Sequence, residues 1–211
     1  MIRVTSARDL LPYSAALLAL LAASAVGAHD APTWAMEVAP VAVVLPLLWA
    51  SARRFPLTPL LYALIFLHAL VLMLGGHYTY ARVPLGFWMQ DAFGLARNPY
   101  DGIGHFMQGF VPAIVARELL LRRTGLRQGG WLAVVVVLAC LGVSAIYELI
   151  EWGAAVALGQ GADEFLGTQG DPWDTQKDMA WAGLGALAAL ALLGRWHDRQ
   201  LGRLAQATAP A

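Results

Sequence analysis

Charge is what this chain has least of. Only 13% of its 211 residues are charged, against about 25% in soluble domains. With 59% of the residues hydrophobic, too little polar surface remains to cover a water-soluble globule, and a bilayer is the better solvent. Cysteine is nearly absent. The lone Cys140 excludes an internal disulfide and a paired-thiolate metal site, and its apolar surroundings (134–141) mark it as a small buried hydrophobe. No block of basic residues gathers into one patch, which argues against nucleic acid as a partner. No HExxH, Gly-x-Ser-x-Gly, P-loop or GxGxxG pattern occurs, so no short motif names a reaction. Strand alternation, heptads and internal repeats are also missing.

What is present is a series of apolar segments long enough to cross about 30 Å of hydrocarbon. Six are expected, at about 10–28, 34–50, 57–75, 103–121, 130–158 and 178–194. They form a single all-α domain over 1–211, a polytopic transmembrane helical bundle with the lipid bilayer as its solvent. A formal net charge of zero hides a separation of signs. Arg3, Arg8, Arg53, Arg54, Arg122, Arg123, Arg127, Arg195, Arg199 and Arg203 fall at one end of the segments. Asp30, Glu37, Asp91, Asp101, Glu148, Glu151, Asp163, Glu164, Asp171, Asp174 and Asp178 fall at or near the other. Basic loops stay on the cytoplasmic side, so both termini are expected inside and the acidic face outside. Trp34 and Trp173 on the outer side, and Trp49, Trp131 and Trp196 on the inner, suit interfacial anchors. Basic residues followed by a short apolar stretch and small residues also give the first segment the form of a cleaved signal peptide. That alternative leaves five spans and an outside N-terminus.

Two outer loops, 76–102 and 159–177, are longer than connection requires; the first contains Pro84, Pro99 and a turn-like 97–101, and the second is expected to be irregular and polar. Ionisable residues in or beside the spans concentrate at the same end. Asp101, His105 and Gln108 share one helix face, with Asp101 a turn above His105 and placed to orient its imidazole. Glu148 and Glu151 lie one turn apart on the next helix. Two such carboxylates in hydrocarbon need a partner, a cation or a proton. Asp171, Asp174 and Asp178 lead into the last helix, where Asp174 or Thr175 is a reasonable N-cap. The expected acid–base group is His105, Glu148, Glu151 and Asp101. The expected metal ligands are His105, Glu148, Glu151, Asp174, Asp178 and His77, a set of oxygens and imidazoles suited to a divalent metal ion. If these form one site, a Glu148 or Glu151 carboxyl lies within about 6 Å of His105, close enough for charges to couple. His68, in mid-span, is expected to be a core histidine bonded to a backbone or hydroxyl group. Arg117 and Glu118 are expected to form a snorkelling pair at the inner end.

The stretches YDGIGHFMQGF, 147–152 (YELIEW) and GTQGDPWDTQKDM resemble the uncharacterised bacterial inner-membrane proteins typified by YjdF, over about 54–195. The order Asp101-x-x-x-His105, Glu148, then Asp174 or Asp178 ahead of Gly183 and Gly185 resembles, more weakly, the VanZ-like membrane proteins. Glu151-Trp152 departs from the glutamine usual there. These likenesses imply a multi-pass bacterial inner-membrane protein with an envelope-related role. The expected function is an outward His/Glu/Asp site that binds a divalent metal and acts on an envelope lipid or head group. The alternatives are a small proton-coupled transporter and a non-catalytic membrane scaffold. Oligomeric state is not set by the sequence.

Overall fold

A computed structural model of the chain describes residues 7–158 and 168–208. Among them every regular element is helical: α1 (Leu11–Ala25), α2 (Ala31–Ser51), α3 (Pro59–Tyr78), α4 (Pro84–Phe93), α5 (Tyr100–Arg123), α6 (Gly130–Leu158) and α7 (Asp174–Thr208), with short 3-10 turns at Ala7–Leu10 and Tyr80–Arg82. A helix therefore stands at each expected span. Four are long and apolar enough to cross a membrane: Ala31–Ser51, Pro59–Tyr78, Gly130–Ala157 and Asp174–Gln206. With 15 residues, α1 is short, and α5 is interrupted by ionisable groups.

Two expectations about boundaries change. The outer stretch 76–102 is not loop throughout, because α4 forms inside it. Pro84 opens that helix and Gly94, at φ 62°, closes it in the left-handed conformation. The last helix starts four residues before the expected 178 and continues to Thr208. Its 35 residues rise about 50 Å at about 1.5 Å each, well past one hydrocarbon thickness. Part of the expected loop 159–177, including Asp163 and Glu164, lies outside the described residues.

The bundle is organised around α5, which packs against α3, α6 and α7. Its approach to α7 is the closest. A methyl group added at Gly109 would lie 1.8 Å from the Ala182 carbonyl oxygen, and one at Gly185 would lie 2.0 Å from that of Phe106. Small residues facing each other let two backbones touch, which is how helices associate when lipid offers no hydrophobic drive. The core beside this contact comprises Leu61, Ile114, Val136, Cys140, Ala186 and Ala189. Cys140 is buried there, its Sγ 3.6 Å from the Gly109 carbonyl. On the other flank, α1 and α2 pack on α3 through Tyr13, Leu17, Val41, Tyr62 and Met73.

At the basic end, Arg117 and Glu118 are not a snorkelling pair. Both are buried, and they bond other helices. Glu118 accepts from the Thr58 backbone N–H at 3.2 Å, from the Thr58 hydroxyl at 2.8 Å and from Arg122 at 2.5 Å. His197 Nε2 donates to Glu118 at 2.9 Å, while its Nδ1 accepts from Arg117 at 2.9 Å. Because an arginine can only donate, the proton of this buried imidazole is held on Nε2. Arg117 also donates to Asp198 at 2.7 Å. Gln200 accepts from the Leu60 N–H at 2.8 Å. Side chains of α5 and α7 thus cap the first turn of α3, where a carboxylate meets both unpaired N–H groups and the positive end of the helix dipole.

Two outcomes follow. Gly185→Leu forces α5 and α7 apart and lowers stability in detergent by about 3 kcal/mol or more, read as loss of the monodisperse species or of its unfolding midpoint. Glu118→Ala leaves Thr58, His197 and Arg122 without their acceptor and costs about 3–5 kcal/mol. Glu118→Gln, which keeps an acceptor oxygen, costs less in the same unfolding assay.

Candidate functional site

The acidic end of the bundle gathers ionisable groups from several helices. His105 on α5 is the centre. Its Nδ1 lies 3.1 Å from Gln108 Oε1, an acceptor, so Nδ1 carries a proton and donates. Its Nε2 then faces two carboxylates, Asp101 Oδ1 at 3.5 Å and Asp178 Oδ2 at 3.9 Å. Glu148 Oε1 lies 3.8 Å from Nδ1, inside the coupling distance expected from the sequence. A neutral imidazole with its lone pair aimed at two carboxylates is an unfavourable arrangement. It becomes favourable with a second proton on Nε2 or with a cation between these atoms.

Asp101, His105 and Asp178 each offer one ligand atom, and these atoms all lie within 4.8 Å of one another. All three residues are buried, as are Glu148, Glu151 and Asp174. Two carboxylate oxygens, Asp101 Oδ2 and Glu148 Oε1, are buried with no hydrogen-bond partner among the described residues. A buried polar atom left unpaired is costly and marks a place where something else belongs.

The remaining expected residues divide. Glu151 is buried and lines the adjoining cavity. Asp174 opens α7 and is paired with Arg97, so its charge is already answered. His77 is not brought to the cluster. Its Nδ1 donates to the Ser24 carbonyl at 2.9 Å, and its own carbonyl accepts from the His29 N–H at 2.8 Å. It therefore ties the end of α3 to the α1–α2 connection. Asp101 faces Nε2, while Gln108 holds Nδ1, the position that orients the ring.

Sequence reasoning missed Glu37 and Arg97. Glu37, on α2, is buried and shares the cavity wall with Asp101 and His105, beside the hydroxyl of Tyr80. Its place among the outer acids was visible, but not its inward direction. Arg97 locks the two outer loops. It donates to the Thr168 carbonyl at 2.8 Å, pairs with Asp174, and reaches Asp171 at 3.4 Å. Asn98 and Gln169 add a reciprocal pair of hydrogen bonds, at 3.1 and 3.0 Å. Partial burial works against the Arg97 charge, yet its hydrogen bond to Asp174 and the neighbouring acids raise its pKa above the ordinary value. Asp171 accepts from the Lys177 ammonium and from the Trp173 N–H, and these hold its carboxyl below the usual range.

Below the cluster runs a cavity of about 530 Å³ between α2, α3, α5 and α6, within the range of small-molecule sites. Glu37, Tyr80, Asp101, His105, Tyr147 and Glu151 line its acidic end. Val44, Leu48, Ile65, Val111 and Val115 wall its length, and Ser51, Phe55 and Leu57 lie at the basic end. Among the described residues His68 is the only titratable side chain in that apolar stretch. Against the expectation of a bonded core histidine, its Nε2 is buried with no hydrogen-bond partner among the described residues, because it faces the cavity rather than a backbone or hydroxyl group.

The family described as "Predicted membrane protein (DUF2238)" matches residues 10–199 of the chain. "Inner membrane protein YjdF" of Escherichia coli (strain K12) is 59% identical over 187 residues, covering 89% of this chain and 90% of that protein. These matches carry nothing for the VanZ-like resemblance. No solved structure matches the chain.

The loop lock has a pH signature. A carboxyl whose folded-state pKa is lowered contributes stability above its unfolded value, about 3.9, and loses it as pH falls through the folded value. Amide protection across 168–174, taken relative to the intrinsic exchange rate at each pH, should therefore be high at neutral pH and fall below about pH 4. Asp171→Asn should give the lower protection already at neutral pH.

Proposed function

The chain belongs to the DUF2238 family of predicted membrane proteins and is a multi-pass inner-membrane protein; from that premise we propose that it crosses the bilayer six times, with both ends in the cytoplasm. Its acidic site then faces outward, and there it binds a divalent cation and acts on the head group of an envelope lipid. In this topology the short α1 is completed by the 3-10 turn before it, and α5 crosses as the innermost helix. The loops at the basic end obey the positive-inside rule.

The observation that carries the reading is the lone pair of His105 Nε2 facing Asp101 and Asp178, with Asp101 Oδ2 and Glu148 Oε1 left without partners. Ligands bound at about 2.0–2.2 Å from one ion stand about 3–4 Å apart, which suits the separations of 3.5 and 3.9 Å around Nε2. Two carboxylates and one imidazole suit Mg²⁺, Mn²⁺, Zn²⁺ or iron. Glu148 and Glu151 stand beside this set for ligation or proton transfer. A cation here would neutralise buried acids and polarise a phosphoryl or carbonyl oxygen of a head group. The unpaired oxygens weigh against a scaffold whose polar groups serve packing alone, since packing contacts would satisfy them. The apolar wall below the cluster weighs against a proton-coupled transporter, whose polar path would continue across the membrane.

Metal content of detergent-purified protein, measured by mass spectrometry, tests the reading. Near-stoichiometric metal in the wild type, lost in His105→Ala and in Glu148→Gln, is the expected result. A metal-free wild type beside two folded variants would move the assignment to a proton-coupled carrier or a structural polar cluster.

A further inference from the structure

The cavity says more about the ligand than the cluster does. Its polar groups are confined to one end, and the rest of its wall is aliphatic or aromatic, apart from the Ser51 hydroxyl at the basic end and His68. Such a space suits a molecule with one polar end and one hydrocarbon end. Its volume limits how much hydrocarbon enters. At about 530 Å³ it lies mid-range for pockets that enclose one drug-sized molecule, about 300–1,000 Å³, a size that suits one chain rather than two.

Access is from the side. Helix α2 packs on α1 and α3, and has little direct contact with α5 or α6. The cavity fills the gap between them. Leu47 on α2, Leu119 on α5 and Val143 on α6 line it and are themselves substantially exposed on the outside of the bundle. A lipid can enter between α2 and α6 without leaving the apolar phase.

His68 sets a second polar position along the cavity. The Tyr80 ring contacts both α3 and α5: a methyl group added at Gly75 or at Gly104 would lie 2.5 Å from it. Those two glycines therefore stand at one depth, next to His105. His68 is seven residues before Gly75 on α3. At about 1.5 Å per residue it lies about 10 Å deeper than the cluster. Its Nε2 has no partner, so a ligand that fits offers a hydrogen-bonding group about that far from its head.

We propose that the cavity binds one single-chain lipid, head group at the His105 cluster, an ester or amide carbonyl at His68, and its hydrocarbon chain running between α2 and α5 toward Phe55. This deepens, and rests on, the reading of the outer cluster as a head-group site. It selects a monoacyl lipid over a two-chain phospholipid.

The test is photolabelling of the full chain in detergent with a diazirine-tagged monoacyl phosphoethanolamine, with adducts mapped by peptide mass spectrometry. Expected are adducts on Val111 and Val115, competed by untagged monoacyl lipid and not by its two-chain counterpart. Val44→Trp, which fills the cavity, should reduce them at least several-fold while leaving the metal content unchanged. His68→Leu should weaken competition by the ester-linked lipid about three- to tenfold, and leave that of its ether-linked analogue unchanged. Adducts confined to the membrane-facing Leu67, Leu138 and Ile146, or cavity adducts that no competitor removes, would overturn the proposal. Should Val44→Trp not fold, the competition in the wild type decides alone. Metal content separates the two readings: bound metal without cavity labelling defeats only the single-chain lipid, whereas cavity labelling without metal defeats only the cation.

Discussion

An ionisable side chain cannot be left facing hydrocarbon without a partner, and α5 carries six of them, Asp101, His105, Arg117, Glu118, Arg122 and Arg123. That constraint places α5 inside the bundle, with α3, α6 and α7 around it. Its polar groups divide by depth. At the basic end Arg117 and Glu118 find partners on α7 and at the cap of α3, while Arg122 donates to Glu118 and to the Pro56 carbonyl. Asp101, His105 and Gln108 at the acidic end meet Glu148 and Asp178 and remain partly unsatisfied. One helix thus bears a closed network at one end and an open one at the other.

The contrast separates structure from function. The basic-end network is dense: Glu118 is fully buried and its oxygens are met by Thr58, Arg122 and His197, as expected of a polar cluster that holds helices in register, and only the Gln200 Nε2 beside it is left unpaired among the described residues. The acidic-end cluster has excess carboxylates, unpaired oxygens and an adjoining cavity. The close backbone contact at Gly109 and Gly185 lies between the two ends on the same pair of helices. It gives both ends a rigid frame, which a site needs to hold its side chains at fixed separations.

Much of this was legible from residue order. Apolar length marked the helices, charge separation marked the two faces, and helical spacing put Asp101 and His105 on one side of α5. The convergence of Glu148 and Asp178 on His105 followed only as a conditional expectation, since three helices can pack in several orders. Three errors share one cause. The sequence neighbours of His77, Arg117, Glu118 and His68 do not reveal their surroundings, because their partners, or the empty space in place of a partner, come from other helices. The acid nearest Arg97 in the chain, Asp101, is not the one it pairs with; its partners arrive from α7 and the loop before it. Helix α4 was hidden in a loop because ten residues between a proline and a glycine give a weak periodic signal.

The sequence by itself determined the solvent, the helical class, the position of the helices and the polarity of the two faces, because each depends on composition and on spacing within a single segment. Only the tertiary structure decided which carboxylates meet His105, that Glu37 and Tyr80 share its cavity, and that an apolar space with one unpaired histidine lies beneath it. Those features depend on which helices are neighbours and at what depth they cross. That is set by small-residue contacts such as Gly109 with Ala182, and by capping contacts such as Glu118 with Thr58, between groups far apart in the chain.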